Sequence, residues 1–200
     1  MKKILFNDKL GLTQAVLDGR KTMTRRIVAL ESTLAITWDC VTEIDRDIAI
    51  KNYIVGNIKN RYEVGEVVAI AQCYMDIDQF HRNGKNAAYL ELLLGLKLYP
   101  GWGNKMFVRS DLMLHHIRIT DIKVERLKGI SDTDCLREGI VKGQCGSKET
   151  HFMDAYYLPV SYQPYCTPQE AFSVLIDKIS GRGTWESNPY VWVYEFELVD

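Results

Sequence analysis

The end of the chain, residues 191–199, places a large apolar side chain at every second position. An extended strand has a side-chain period of two, so Trp192, Tyr194, Phe196 and Leu198 would share one face. This pattern predicts a β-strand packed against a core. A second apolar run, residues 67–72, contains β-branched side chains and predicts a strand covered on both faces, as in a barrel or a covered sheet. The chain is therefore expected to fold around a sheet.

Two further strands are predicted nearer the start and the middle of the chain. Residues 3–6 have the composition of a short strand, and residues 115–127 that of a long one. Ile117 and Ile119 are separated from Ile122 and Val124 by a slip of phase near Asp121. Such a slip indicates a β-bulge or a corner.

Capping signals predict three helices. Asp8 is a candidate N-cap for a helix that runs through Asp18 and stops at Gly19. Ser131 opens a capping box and a short helix that ends at Glu138. A threonine, a proline and a glutamate at residues 167, 168 and 170 begin the third helix. Four apolar side chains are expected to be buried by that helix: Phe172, Leu175, Ile176 and Ile179.

The predicted elements are α+β in class and are assigned to a single domain over residues 1–200. Residues 31–60 have no clear pattern, and residues 76–104 are interpreted as an insertion with helical character over 86–98. Residues 141–166 are rich in Gly, Ser, Tyr and Pro, which predicts a long loop.

Composition restricts the classes of function. The chain has 200 residues, and 46 % of them are hydrophobic, which is enough for one buried core. Its formal net charge is −1, which argues against a strongly basic face that binds nucleic acid duplexes. Five scattered cysteines indicate reduced thiols. The longest apolar stretch, residues 89–96, is too short to span a bilayer, and the N-terminus lacks an apolar signal segment. A cytoplasmic protein with no membrane partner is expected.

The strongest candidate for a functional site is the basic stretch of residues 19–26. It holds the four cations Arg20, Lys21, Arg25 and Arg26 and two threonines, but no acid. Arginine forks suit phosphates and base edges, and a lysine beside other cations can serve as a base. The hydroxyl of Thr24 is a candidate nucleophile. The alternative is a solvated turn in which the first two cations balance the dipole of the preceding helix.

Three residues outside this stretch are also candidates. Glu138 lies at the end of a predicted helix, where the dipole disfavours an acid, so a cationic partner such as Lys21 would compensate it. Its alternative is a solvated, exposed carboxylate. Trp185 could stack on a base and Asn188 could bind a base edge, whereas Trp192 is assigned to the core. Since metal-ligand spacings and phosphate-binding loops are missing from the sequence, no metal and no cofactor are expected.

Residues 19–25, Gly-Arg-Lys-Thr-Met-Thr-Arg, resemble the Gly-x-Lys-x-x-[Thr/Arg] signature of the ASCH domain family, which is related to the PUA domain. Residues 62–66, 124–140 and 185–192 are similar to further stretches of phage and bacterial members. The resemblance leaves residues 30–60, 76–104 and 141–166 as insertions. It implies a small PUA-like β-barrel with helices over its openings, and a cleft lined by the Gly-x-Lys motif.

The resemblance also implies a function. The family is thought to bind RNA or nucleotides, and some small members are amidohydrolases that remove the acetyl group of N4-acetylcytidine. Carried over, their catalytic set becomes Lys21 as base, Thr24 as nucleophile and Glu138 as the orienting acid, with Arg20, Arg25 or Arg26 on an oxyanion or phosphate. Trp185 and Asn188 stay ligand-binding candidates.

Three hypotheses follow from these residues and the resemblance. The first is a module that binds RNA or a modified nucleoside. The second is an amidohydrolase acting on N4-acylated cytidine. The third is a phage-related interaction protein in which the motif only stabilises the barrel.

Overall fold

A computed structural model describes residues 1–29, 42–83, 95–96, 100–147 and 151–199. Its strands form a five-stranded sheet and a separate two-stranded hairpin, so the α+β class is confirmed. The predicted helix at residues 86–98 lies almost entirely outside the described residues. The five-stranded sheet contains β1 (Lys3–Ile4), β2 (Met23–Ile27), β3 (Val67–Ile70), β4 (His116–Arg126) and β7 (Tyr190–Leu198), and the hairpin contains β5 (Val141–Ser147) and β6 (His151–Tyr157).

Helices connect and cover these strands. Short 3-10 turns lie between them, including one at Asp8–Leu10 that precedes the first helix and one at Lys105–Phe107. Among the described residues, no helix combines the length and the apolar character needed to cross a membrane. The helices are α1 (Leu12–Leu17), α2 (Glu43–Asn57), α3 (Tyr74–Asn83), α4 (Asp132–Arg137), α5 (Pro168–Ser180) and α6 (Thr184–Ser187).

The strand order is β1-β3-β4-β7-β2, in which β1 and β3 are parallel and the other pairs are antiparallel. The barrel closure that the resemblance implies is not formed among the described residues. β1 has only two residues and pairs with β3 alone, so its other edge and the outer edge of β2 remain unpaired within the described ranges. The two edges nevertheless approach each other, because the Arg26 guanidinium of β2 donates to the Leu5 carbonyl just after β1 (2.7 Å).

The centre of the sheet agrees with the sequence pattern. β7 pairs with β4 along one edge and with β2 along the other, and Val191 and Val193 are as fully buried as Tyr194. The register of β4 against β7 shifts between Ile119 and Asp121, which confirms the predicted bulge. Leu198, at the end of β7, is 38 % exposed, so the prediction of a buried side chain is wrong at this position.

The helix starts predicted by capping residues are largely confirmed. The hydroxyl of Ser131 accepts from the Asp134 amide, and that of Thr167 accepts from the Glu170 amide. Phe172, Leu175 and Ile176 are buried by α5, but Ile179 is 38 % exposed and belongs to the last, open turn of that helix.

Two predicted elements are wrong. The helix expected from Asp8 to Asp18 is broken at Gly11, which adopts a left-handed conformation (φ 66°), and its first turn is capped by Asn7 rather than by Asp8. The loop expected at 141–166 contains the β5–β6 hairpin, paired over seven positions from Val141–Tyr157 to Ser147–His151. Residues 43–57, left without an assignment, form α2.

The core divides into two clusters. The larger one lies on both faces of the sheet and includes Ile4, Met23, Phe172 and Tyr194. The smaller one surrounds Tyr74 of α3 and Leu112, next to the end of β3. The single-domain assignment stays a prediction.

Candidate functional site

Lys21 lies in the segment between α1 and β2, and backbone hydrogen bonds fix this segment on both sides. Its amide donates to the Ala15 carbonyl of α1 (2.8 Å), and the Thr22 amide donates to the Arg137 carbonyl of α4 (3.0 Å). Gly19 takes a left-handed conformation (φ 71°) that turns the chain out of α1. The segment therefore directs the lysine side chain at the end of α4.

The Lys21 ammonium and the Glu138 carboxylate form a buried ion pair. Lys21 Nζ lies 2.5 Å from Glu138 Oε2, and the two side chains are 2 % and 6 % exposed. Lys21 Nζ also donates to the backbone carbonyls of Met23 (2.7 Å) and Glu138 (2.9 Å). An ammonium has three N–H donors, so all of them are used. The predicted cationic partner of Glu138 is thereby confirmed.

Arg25 of β2 holds the second oxygen of the same carboxylate. Its Nη1 donates to Glu138 Oε1 (3.1 Å), its Nε and Nη2 donate to Glu125 Oε1 (3.0 and 2.6 Å), and Nη2 also contacts Asp134 (3.3 Å). Its side chain is fully buried. Burial alone would lower the pKa of Arg25, but Glu138 and Glu125 raise it overall. A contact from Nη1 to the Met23 sulfur (3.1 Å) completes the hydrogen bonds of this guanidinium, and it positions Glu138.

Burial and the charge of Glu138 have opposite effects on the pKa of Lys21. Removing the ammonium from water lowers the pKa of Lys21, and the neighbouring Glu138 charge only partly offsets this. The positive charges of Arg26 and Arg25 also lower the pKa of Lys21. A lysine in this environment gives up its proton more readily than a lysine in water.

Thr24 and Arg26 lie in β2 directly before and directly after Arg25. Thr24 is 5 % exposed, and within the described part of the chain its hydroxyl makes no hydrogen bond. Arg26 is half-buried, and the carbonyl of Leu5 is its one hydrogen-bond partner among the described residues. No carboxylate of the described residues forms an ion pair with Arg26. Burial lowers the pKa of its guanidinium.

These five side chains border one cleft along the outer edge of β2. Its volume is about 770 Å³, within the range of roughly 300–1,000 Å³ that is usual for small-molecule sites. Further cations reach it from Lys9 and Lys105, and Asp8 is the second acid in its described lining besides Glu138. The apolar part of the described lining consists of Leu5, Phe6, Leu12, Met106, Phe172, Ile176 and Ile179.

The structure does not bring the other predicted ligand residues to this cleft. Arg20 is exposed and pairs with Asp18 (2.9 Å). Trp185 is half-buried and packs edge-on against Phe172, with ring centres 6.1 Å apart. Asn188 has a left-handed backbone (φ 45°), and its side chain accepts from the Lys128 amide (2.8 Å). Trp185 and Asn188 line two other depressions, and neither depression shares a described lining residue with this cleft.

The sequence patterns do not indicate Lys105 in the cleft, nor two of the acids that pair with Arg25 beside it. Lys105 donates to the Phe6 carbonyl and to Asp8 (2.7 Å), so a short turn just after the predicted insertion closes one side of the cleft. Glu125 and Asp134, the other partners of Arg25, are separated from it by 100 and 109 positions. A surplus of acids around the predicted α4 was the one available signal.

No metal centre is evident in the cleft. Across the described ranges, no three side chains of His, Cys, Asp or Glu are grouped so that they could hold a metal ion. The arrangement offers cations, a paired carboxylate, a hydroxyl and apolar walls.

Comparisons with known proteins assign nothing further. No family model matches the chain, and neither a curated protein nor a solved structure matches it.

Proposed function

We propose that the cleft beside β2 binds a nucleoside or nucleotide unit of RNA. The observation that carries the proposal is Arg26, a half-buried guanidinium in the cleft wall with no carboxylate partner among the described residues. A guanidinium has five N–H donors, and that of Arg26 donates only to the Leu5 carbonyl among the described residues, so most of its donors are free to bind a ligand. A phosphate supplies both the missing charge and the acceptors.

The remaining lining suits the rest of a nucleotide. Phe6 and Phe172 give the cleft aromatic walls, and Thr24 offers a hydroxyl that can bind a sugar or a base edge. RNA is recognised mainly through stacked bases and hydrogen bonds to their edges. The net charge of −1 argues for such a local site over an extended duplex-binding surface.

Membership of the ASCH family, with its PUA-like barrel, is part of the proposal. The residues of the Gly-x-Lys resemblance, Lys21 and Thr24, border the cleft. The hydrogen bond from Arg26 to Leu5 joins β2 to the end of β1 at the place where a barrel would close. This supports a curled sheet of PUA-like type in which a side chain spans the gap between the edge strands.

The test is a titration of the native protein with cytidine and with a short single-stranded RNA at two salt concentrations. Arg26→Ala is expected to weaken RNA binding at least tenfold and to reduce its salt dependence, because one phosphate is no longer neutralised. Arg20→Ala is the matched control, since it removes an exposed arginine of the same motif. Thermal unfolding of each variant checks that the fold persists. RNA affinity that is unchanged by Arg26→Ala, or absent in the native protein, contradicts the proposal.

A second candidate function is the hydrolysis of an N4-acylated cytidine. The observation that favours it is the buried Lys21–Glu138 pair in the same cleft as the unbonded hydroxyl of Thr24. In this reaction Lys21 in its neutral form accepts the hydroxyl proton, the Thr24 oxygen attacks the acyl carbon, and the proton passes to the cytidine nitrogen as the C–N bond breaks. Water then hydrolyses the threonine ester and releases the acid.

The binding function is favoured over this one because of the hydrogen bonds of Lys21. All three N–H donors of the Lys21 ammonium are used by Met23 and Glu138, so the lysine must lose one proton, and the hydrogen bond that this proton makes, before it can accept a proton from Thr24. Incubation with N4-acetylcytidine separates the two functions. Native protein that releases cytidine, with loss of release in Thr24→Val and retention in Thr24→Ser, supports hydrolysis. Cytidine release no faster than the blank rejects it for this substrate.

A further inference from the structure

A second cavity lies against Arg26, on the side of the arginine that faces the loop before β3. Its volume is about 320 Å³, and it shares Leu5 and Arg26 with the cleft already described. Arg26 therefore stands between two cavities. The other described residues that line the second cavity are Ile27, Val28, Ala29, Ile58, Lys59, Arg61, Tyr62, Trp192 and Tyr194.

The charge of this second cavity has one sign. Arg26, Lys59 and Arg61 are cations, and the described lining contains no acid. Lys59 and Arg61 are exposed, and neither forms an ion pair with another described residue. Positive charge concentrated in a concave site attracts an anion.

The wall behind these cations is aromatic and packed into the core, with Tyr62, Tyr194 and Trp192 only 2 %, 1 % and 7 % exposed. The rings of Tyr62 and Tyr194 meet edge to face with centres 5.2 Å apart. The Tyr62 hydroxyl donates to the Lys3 carbonyl (2.9 Å), and the Tyr194 hydroxyl accepts from the Arg61 amide (3.2 Å). Burial raises the pKa of both phenols, so they are neutral at physiological pH. Trp192, directly opposite Arg26 on the neighbouring strand, extends the wall.

Aromatic surface next to a row of cations is the combination with which proteins bind single-stranded nucleic acid. A metal cation would be repelled, and an apolar ligand would supply no counter-charge to the three cations. The Arg61 guanidinium lies over the Tyr62 ring, 5.6 Å from its centre, and so already joins the charged and aromatic parts of the cavity. A nucleotide satisfies both parts of the cavity, because it has a ring and a phosphate in one molecule.

We propose that this cavity is a second nucleotide subsite, so that the ligand of the protein is an RNA strand rather than a free nucleoside. The inference rests on the proposed function: one nucleoside occupies the Lys21 cleft and its phosphodiester lies on Arg26. The next base lies against Tyr62, Tyr194 and Trp192, and the following phosphate lies between Lys59 and Arg61. The shared arginine fixes the spacing of the two subsites.

The test compares cytidine with the trinucleotide CpCpC, which has two phosphodiesters, on the full chain. The native protein is expected to bind CpCpC at least tenfold more tightly than cytidine, because two phosphates and two further nucleosides are added, and one of the added bases occupies the second subsite. Lys59→Ala/Arg61→Ala should remove about tenfold of that affinity and leave cytidine binding unchanged. The slope of log affinity against log salt should become shallower by about 0.7 for each phosphate that the variant no longer neutralises.

The matched control is Lys178→Ala/Arg182→Ala, which removes two exposed cations from another surface depression. Its affinity for both ligands should equal that of the native protein. Equal affinity of the native protein for cytidine and CpCpC overturns the second subsite. So does a gain with CpCpC that survives the Lys59/Arg61 substitutions. These results leave cytidine binding intact, whereas failure of both ligands to bind rejects the proposed function together with this inference.

Discussion

Glu138 has an unusual position for a carboxylate, at the C-terminal end of α4. The helix dipole is negative there, and burial adds a further cost for a charged group. The two costs are offset because one carboxylate oxygen accepts from Lys21 and the other from Arg25. A single acid thus pairs with two buried cations from different parts of the motif, and Glu125 and Asp134 supply the further negative charge beside Arg25.

Replacement of Glu138 by glutamine is expected to destabilise the fold strongly. An amide cannot compensate two buried cations, and breaking a buried pair costs about 3–5 kcal/mol in the free energy of unfolding. The measurement is urea denaturation at neutral pH. Glu186→Gln is the control, since it removes an exposed carboxylate that pairs with Lys128 (3.0 Å) and should change the free energy by no more than about 0.5 kcal/mol. Equal stability of the two variants would show that the buried pair contributes no more than the exposed one.

Cys135 of α4 is buried beside the same cluster. Burial raises the pKa of its thiol to about 12, although Arg25 opposes the shift. An unfolded cysteine ionises near its model value of 9.0, so between pH 9 and 12 the unfolded chain has lost the proton that the folded chain still holds. Stability from this group is therefore complete below pH 9 and declines as pH rises.

The expected decline is about 1.4 kcal/mol per pH unit within that window. It is measured as the difference in pH dependence between the native protein and Cys135→Ala. The variant should be less stable at pH 8 because of the vacated space, and its stability should fall less steeply above pH 9. Parallel curves for the two proteins would contradict the assignment.

At the scale of elements, Gly11 decides how the chain enters the site. It ends the 3-10 turn and begins α1 in a left-handed conformation (φ 66°). A Cβ atom built there would lie 2.7 Å from Val160 Cγ1. The predicted continuous helix is therefore interrupted for a reason outside its own sequence, which is the loop that follows β6.

Gly11→Ala is expected to destabilise the protein more than Gly19→Ala. Both glycines have a positive φ, which costs a residue with a side chain roughly 1–2 kcal/mol. Only at Gly11 does the new methyl group also meet a neighbour, whereas at Gly19 nothing among the described residues lies within 4 Å. Thermal or urea unfolding of the two variants separates the steric contribution from the conformational one. A larger loss of stability in Gly19→Ala would contradict this account.

The β5–β6 hairpin shows why residues 141–166 were interpreted as a loop. Glycine normally indicates a turn, but Gly146 lies within a strand pair, where a Cβ atom would be 2.1 Å from the His151 carbonyl oxygen. The glycine is required by a close approach of two strands. The composition of the segment gave no means to separate that use from an ordinary turn.

At the scale of the molecule, the sheet has a protected centre and an exposed hairpin beside it. β7 is hydrogen-bonded on both sides, to β4 and to β2. Most residues of β5 and β6 are exposed or only half-buried, and within the described ranges each of these two strands forms a sheet only with the other. The free energy of local opening is expected to differ accordingly.

Native-state hydrogen exchange should therefore show the slowest amides in β7, at Val193 and Tyr194, and much faster exchange in the β5–β6 hairpin. Mass spectrometry of peptides from the two regions makes the comparison within one sample. Equal protection of the hairpin and of β7 would mean that they open as one cooperative unit.

The sequence by itself determined the elements whose signals are local. The alternation in residues 191–199 predicted β7, the phase slip located the bulge of β4, and Ser131 and Thr167 located two helix starts. These predictions succeeded because a strand period or a hydrogen bond to an amide three positions away depends only on near neighbours.

Only the tertiary structure decided what each cation of the motif does. Lys21 and Glu138 are 117 positions apart, and their pairing was one of two alternatives before the fold placed them at 2.5 Å. Arg25 and Arg26 are adjacent and chemically identical, yet Arg25 pairs with three carboxylates, whereas Arg26 pairs with none among the described residues and lies between two cavities. Successive strand residues point to opposite faces. The groups that each side chain meets are supplied by residues that are distant in the sequence, so only the folded structure determines them.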